Sequence, residues 1–119
     1  LSFGQVIDGR QLKSSGIFRL QPELHLDDIR DTYQWDATCQ GSVPQAIRSF
    51  LDGTDFEDCI RTAISLGGDS DTLACITGSI AEAFYGIPPA LHAQTMHYLP
   101  THFQQIVTEF EGKFGPEIR

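Results

Sequence analysis

Apolar residues recur at helical spacing over residues 42–51, where Ser42 is the expected cap and Pro44 falls in the first turn. Gly53 is the expected end of this helix. The apolar stripe consists of Val43, Ile47, Phe50 and Leu51. The pattern therefore predicts a first helix over residues 42–51.

A second helix is predicted from residue 54 to Leu66. Its opening residues, Thr-Asp-Phe-Glu at 54–57, have the spacing of a capping box, and Gly67 is a natural C-terminal stop. The expected apolar face consists of Phe56, Ile60, Ala63 and Ile64. Because the connection at Gly53 is short, the first two helices are expected to form a hairpin.

The central prediction is a helix over residues 70–85 that ends at Gly86. From Leu73 to Tyr85 the only charged residue is Glu82, and so apolar a run favours a buried helix with a polar entrance. We expect Glu82 to reach solvent or to make a structural hydrogen bond, with a role in a site as the alternative.

Two further helices are predicted near the C-terminus. The first covers residues 89–99, with apolar contacts from Leu91, Met96 and Leu99. The second covers residues 102–114 and is capped by Thr101. Its expected inward stripe consists of Phe103, Ile106, Val107, Phe110 and Phe114. The histidines of this region are five positions apart, at His92, His97 and His102, which argues against a histidine metal cluster.

Residues 1–41 are expected to form a largely irregular lead-in to the helical residues 42–119, because glycines and a proline interrupt it. The acidic group around Leu26 favours a solvated short helix over a metal site. It comprises His25, Asp27, Asp28 and Asp31. Trp35 is expected to pack in the core. Since no apolar alternation predicts a strand, residues 1–119 are interpreted as an all-α multi-helix bundle, or part of one.

Net charge and cysteine content limit the classes of partner and site that the chain can have. The 119 residues carry a formal net charge of −8, which argues against a nucleic-acid partner. A phosphate ligand remains compatible with that charge if a bound cation inverts the local field. No apolar run reaches the length of about 18 residues that a membrane span needs. Cys59 and Cys75 are expected to be buried thiols, and the odd, widely spaced cysteines favour a reducing cytoplasm over a zinc site or a disulfide framework.

The most informative stretch is Gly-Gly-Asp-Ser-Asp-Thr at residues 67–72. Asp69, Asp71 and Thr72 stand at i, i+2 and i+3, which can gather hard oxygen ligands around Mg²⁺, Mn²⁺ or Ca²⁺. Gly67 and Gly68 permit close approach of the backbone to a ligand, and free amides at a helix start favour a phosphate. Taken alone, the same residues favour ordinary helix caps after a tight turn.

Longer segments of the sequence favour the metal-site interpretation over ordinary helix caps. Ser-Val-Pro-Gln-Ala-Ile at 42–47, Asp-Phe-Glu-Asp at 55–58, the stretch at 64–74 and Ala-Glu-Ala-Phe-Tyr-Gly-Ile-Pro at 81–88 resemble the C-terminal part of the ADP-ribosylglycohydrolase family, of the dinitrogenase reductase-activating type. The resemblance covers residues 33–89. It implies that Asp69, Asp71 and Thr72 ligate a two-metal centre, usually magnesium. It also implies that the substrate-binding wall is formed by Gly67, Gly68 and Ser70.

The implied activity is hydrolysis of the glycosidic bond between ADP-ribose and a protein side chain or a small molecule. An aromatic residue near Tyr33 and Trp35 is implied as a stacking partner for adenine, an alternative to core packing. A non-catalytic relative that binds ADP-ribose and metal, or serves a structural role, is the second interpretation. A Ca²⁺-stabilised module is a weaker third, because EF-hand spacing is absent from the sequence.

The chain also departs from the family pattern. The family's Gly-Asp-Ala-x-Gly signature, its Thr-Asp-Asp metal motif and its upstream catalytic acid have no counterpart in these 119 residues. We therefore expect the C-terminal part of a larger helical domain, completed by an N-terminal portion or another chain. No catalytic residue is assigned in this chain, and little turnover is expected from it alone.

Overall fold

Every regular element in the described part of the chain, residues 24–118 of this computed structural model, is an α-helix. The all-α prediction is therefore confirmed. Most of the predicted lead-in lies outside the described residues. The helices are α1 (Leu26–Ile29), α2 (Cys39–Asp52), α3 (Phe56–Ser65), α4 (Ser70–Tyr85), α5 (Pro89–Tyr98) and α6 (Thr101–Ile118). Between residues 24 and 118, no helix combines the length and apolarity required to cross a membrane.

The chain divides into two units, at Leu1–Tyr85 and Gly86–Arg119. In the first unit α2, α3 and α4 pack on one another. Their contact buries two apolar clusters. One consists of Leu26, Ala46, Ala63, Leu66 and Leu73, and the other of Phe50, Cys59 and Ala81. Helix α1 contributes Leu26 and exposes Asp27, as predicted for a solvated short helix.

Helix α2 begins earlier than predicted. Thr38 is its N-cap and accepts a hydrogen bond from the Gly41 amide, so the helix starts at Cys39. Ser42 is not the cap: it is buried inside the helix and donates to the Thr38 carbonyl at 2.7 Å. Asp36 accepts hydrogen bonds from the Thr38 amide and hydroxyl, which stabilises the earlier start. The predicted end at Gly53 is confirmed.

Helix α3 has the predicted type of cap, moved by one residue. Asp55 accepts from the Asp58 amide at 2.8 Å, and Asp58 accepts from the Thr54 amide at 2.9 Å. Glu57 instead pairs with Arg61 one turn later. The helix ends at Ser65 with Leu66 as C-cap, and Ile64, predicted to face inward, is 51% exposed.

Helix α4 has the predicted bounds, but only one of its faces is buried. Leu73, Thr77 and Ala81, each four residues apart, have no exposed surface. The Thr77 hydroxyl donates to the Ala46 carbonyl at 2.9 Å, which satisfies it within the core. Cys75 is exposed, contrary to the prediction, because it lies off that face. Glu82 is exposed, in line with the solvent interpretation.

Cys59 is buried, as predicted, and its thiol donates to the Phe50 carbonyl at 3.6 Å. Burial, followed by the negative charges of Asp58 and Asp55, raises the pKa of Cys59 to about 11. The thiolate is the reactive form of cysteine, so Cys59 is an inert packing residue at neutral pH.

The second unit contains α5 and α6. The side-chain amide of Gln104 in α6 donates to the carbonyls of Met96 and Leu99 near the end of α5. A second contact between the two helices joins Nε2 of His92 and Oε1 of Glu111, which are 2.6 Å apart. Helix α6 starts at Thr101 and runs beyond its predicted end. Its stripe is not buried as predicted, because four of its members are exposed: Phe103, Ile106, Phe110 and Phe114.

Candidate metal centre

A tight turn joins α3 to α4. The Gly67 amide donates to the Ile64 carbonyl at 3.0 Å, and Gly67 and Gly68 have φ values of +73° and +62°. Two successive residues in the left-handed region strongly favour glycine, because a Cβ atom is strained there. Both glycines are exposed. The turn thus leads into the start of α4, where Asp71 and Thr72 are exposed and Asp69 and Ser70 are half-buried.

The turn lies against residues 33 and 34. A Cβ atom placed on Gly68 would be 2.8 Å from Cε1 of Tyr33 and 2.9 Å from the Gln34 carbonyl oxygen. Any residue other than glycine at position 68 would require the neighbouring chain at residues 33 and 34 to shift. A Cβ atom placed on Gly67 would have no atom within 4 Å. The two glycines therefore have different roles, one in packing and one at the surface.

Asp69 and Asp71 come together at the start of α4. The Asp69 carbonyl accepts from the Leu73 amide at 3.1 Å, the first hydrogen bond of the helix. The pKa of Asp71 is lowered, chiefly by a side-chain hydrogen bond with Asp69. The backbone amide of Thr72, at 3.0 Å, adds to that effect. Asp71 is therefore ionised and exposed at neutral pH.

Ser70 and Thr72 take no part in the contact between the two carboxyl groups. Ser70 is half-buried and Thr72 is exposed on the first turn of α4. Asp71 also accepts from the main-chain amide of Thr72, the next residue, whereas the side chain of a helix cap accepts from an amide two or three residues further along.

The carboxylates of Asp69 and Asp71 and the hydroxyl of Thr72 are hard oxygen donors, a type that suits Mg²⁺ or Mn²⁺. Within residues 24–118, no group of three or more His, Cys, Asp or Glu side chains converges on one point. The described residues therefore do not form a complete coordination shell by themselves. Magnesium is commonly held by one or two carboxylates together with water and substrate phosphates, so a pair is a sufficient protein contribution from one segment.

Tyr33 is the residue near the turn whose position the sequence did not predict. Its hydroxyl donates to the Gly41 carbonyl at 2.6 Å, and its ring packs against the buried cluster that includes Leu73. Burial raises the pKa of Tyr33, and the negative charges of Asp36 and Asp69 raise it further. No local pattern signals this role, because the ring meets a turn 35 positions away in the sequence.

Trp35 is exposed rather than packed in the core as predicted. Its side chain is 68% exposed, whereas Tyr33 packs against the buried cluster. Trp35 follows Gln34, whose carbonyl touches Gly68. An exposed tryptophan therefore directly follows the residue whose carbonyl contacts the turn.

The chain is similar to known proteins. A family model described as ADP-ribosylglycohydrolase matches residues 6–117. ADP-ribosylhydrolase ARH3 of Mus musculus is 38% identical over 81 residues, covering 59% of this chain and 20% of ARH3. An uncharacterized protein of Archaeoglobus fulgidus is 44% identical over 41 residues, covering 34% of this chain and 13% of that protein.

These matches span only a small part of either curated relative. No solved structure matches the chain. The family model, by contrast, covers almost all of it, including both units and the turn at residues 67–72. On that match, the chain belongs to the ADP-ribosylglycohydrolase family.

Proposed function

We propose that this chain carries the C-terminal half of the metal site of a hydrolase that cleaves the glycosidic bond between ADP-ribose and a protein side chain or small molecule. The observation that carries the proposal is the double-glycine turn, with Gly67 and Gly68 at positive φ, which leads Asp69 and Asp71 into the start of α4. Family membership and the name of the mouse relative support the choice of ADP-ribose.

In this proposal Asp69, Asp71 and Thr72 hold Mg²⁺, or Mn²⁺, in a two-metal centre. When bound, the metal supplies Lewis-acid polarisation and orients the ribose hydroxyls and a water molecule. Gly67, Gly68 and Ser70 form the wall beside it, where the absence of a side chain on Gly67 leaves room for the ligand. The first amides of α4 favour the negative charge of a diphosphate.

Net charge makes the cation necessary. The chain has a formal charge of −8, and the diphosphate of ADP-ribose is also negative. Two carboxylates at the turn would repel it in the absence of metal. A divalent ion between them reverses the local field, so we expect ADP-ribose to bind only after the metal.

Calorimetry tests this order directly. MgCl₂ is titrated into the purified chain, and ADP-ribose is then titrated with and without MgCl₂. We expect Mg²⁺ to bind and ADP-ribose to bind only in its presence. If ADP-ribose binds equally well without Mg²⁺, or if neither ligand binds, the proposal is wrong.

Turnover separates the proposal from its alternative, a non-catalytic relative. The complete natural protein that contains this chain is incubated with MgCl₂ and peptides ADP-ribosylated on arginine or serine. Release of ADP-ribose supports the hydrolase. Mg²⁺-dependent binding without release supports a protein that only binds ADP-ribose.

We further propose that Trp35 stacks on the adenine ring. A Trp35→Ala variant should bind ADP-ribose roughly tenfold more weakly at saturating Mg²⁺, since stacking of a base on an aromatic side chain contributes about 1–3 kcal/mol. Calorimetry measures both affinities. The matched control is Tyr98→Ala, which removes an 85% exposed aromatic from α5. Equal effects of the two substitutions, or none from either, would contradict the assignment.

A further inference from the structure

Tyr33 joins three parts of the first unit. Its ring edge lies against Gly68, its hydroxyl donates to the Gly41 carbonyl in the first turn of α2, and its ring packs on the buried cluster that contains Leu66 and Leu73. Those two leucines flank the turn, one immediately before Gly67 and one a helical turn after Asp69. Tyr33 therefore contacts the turn at Gly68 and also packs against the buried cluster that holds the residues before and after the turn.

We propose that Tyr33 is a positioning residue that holds the Gly67 and Gly68 turn in the conformation from which Asp69 and Asp71 enter α4. The purpose of this arrangement rests on the proposed function, because the carboxyl pair matters only if it binds metal. The holding of the turn itself is a property of the metal-free chain.

The turn needs an external support because of its composition. Two adjacent glycines have more backbone freedom than any other pair of residues, and they lose all of it in a single conformation. Gly67 meets no neighbouring atom where a Cβ would be, so packing around that position does not fix its conformation. The contact of Gly68 with Tyr33 and Gln34 is the one that restricts the turn from outside.

Tyr85 provides a matched control within the same unit. Its hydroxyl donates to the Gly53 carbonyl at 3.2 Å, at the far end of α2, and its ring contacts Phe50 and Phe84. Both tyrosines thus tether a glycine carbonyl at one end of α2. Only Tyr33 touches the turn before α4.

The test is amide hydrogen exchange in the ¹⁵N-labelled, metal-free chain. Two amides report on the turn: Gly67, bonded to the Ile64 carbonyl, and Leu73, bonded to the Asp69 carbonyl. The Cys59 amide, bonded to the Asp55 carbonyl, reports on α3. We expect Tyr33→Leu to accelerate exchange at the two turn amides about tenfold relative to the α3 amide, which is the mark of local opening.

Two further variants make the result specific. Tyr33→Phe keeps the ring against Gly68 and should restore most of the protection, with less than about threefold acceleration. Tyr85→Leu should accelerate the Gly53 amide, bonded to the Ser49 carbonyl, and leave Gly67 and Leu73 unchanged. Unchanged turn amides in Tyr33→Leu, or equal acceleration at Cys59, would overturn the inference.

A titration with MgCl₂ on the same samples links the turn to the metal. We expect Tyr33→Leu to lower the Mg²⁺ affinity at least about fivefold, Tyr33→Phe less, and Tyr85→Leu not at all. Faster exchange with unchanged Mg²⁺ affinity would overturn the positioning role. If the wild-type chain binds no Mg²⁺, the proposed function fails, while the exchange rates still decide whether Tyr33 holds the turn.

Discussion

An Asp71→Asn variant is expected to bind Mg²⁺ at least about 100-fold more weakly than the wild-type chain. A loss of this size lies at the upper end of the range that follows when an outer-shell partner of a metal ligand is removed. Asparagine has the shape of aspartate and retains an oxygen that can accept a hydrogen bond from the Thr72 amide. In the wild-type chain this amide lies 3.0 Å from the Asp71 carboxylate. The substitution removes the negative charge that a hard cation requires. Metal affinity should therefore fall while the fold is retained.

Calorimetry with MgCl₂ measures the effect, and circular dichroism verifies the helix content. Asp69→Asn should behave in the same way, because the two carboxyl groups are adjacent. Glu82→Gln is the matched control, since it removes the same charge from an exposed position on the same helix. It lies eleven residues beyond Asp71, about 16 Å along the axis. That exceeds the screening length of about 8 Å, so its effect should be small.

The contrast between the three variants decides between a metal site and a helix cap. A cap loses helix stability when it is replaced, whereas a metal ligand loses affinity for the ion. Equal Mg²⁺ affinity in Asp71→Asn and the wild type would assign this carboxylate to the helix end alone. An equal loss in Glu82→Gln would indicate non-specific attraction of cations to an acidic chain.

A Leu73→Ala variant is expected to lower the free energy of unfolding by about 3 kcal/mol, within the range found for truncation of a buried leucine. Leu73 has no exposed surface and belongs to the cluster formed with Leu26, Ala46, Ala63 and Leu66. Alanine would leave a cavity between α2, α3 and α4. Urea unfolding followed by circular dichroism measures the change.

Ile64→Ala is the control for Leu73→Ala. Ile64 is 51% exposed on α3, so its truncation should cost less than about 1 kcal/mol. A similar cost for both substitutions would mean that the face of α4 containing Leu73 is not the core of the first unit. Because Leu73 follows Asp69 by one helical turn, the same core also anchors the start of α4.

Local signals account for what was predicted well. The bounds of α4 follow from glycines at positions 67, 68 and 86, all of which have positive φ values. The end of α2 at Gly53 and the existence of α5 and α6 also follow from residues within a turn of each boundary. The starts of α2 and α3 were wrong by a few residues, because Thr38 and Asp55 compete successfully with Ser42 and Thr54 as caps.

Burial was predicted less well. Cys75 and Ile64 were expected to be inside and are exposed, as are most apolar residues of α6. Trp35 was expected in the core, but Tyr33 occupies that place. Apolar character gives the number of residues available for a core, and it does not say which face of a helix meets a neighbour.

The sequence alone determined the all-α class, the central helix and the family, because caps, glycines and motif spacing act over a few neighbouring residues. Tertiary structure alone decided that Tyr33 supports the turn at Gly68, and which face of α4 is buried. Those contacts join residues more than 30 positions apart, such as Thr77 and Ala46, so they depend on how the helices pack and leave no local pattern.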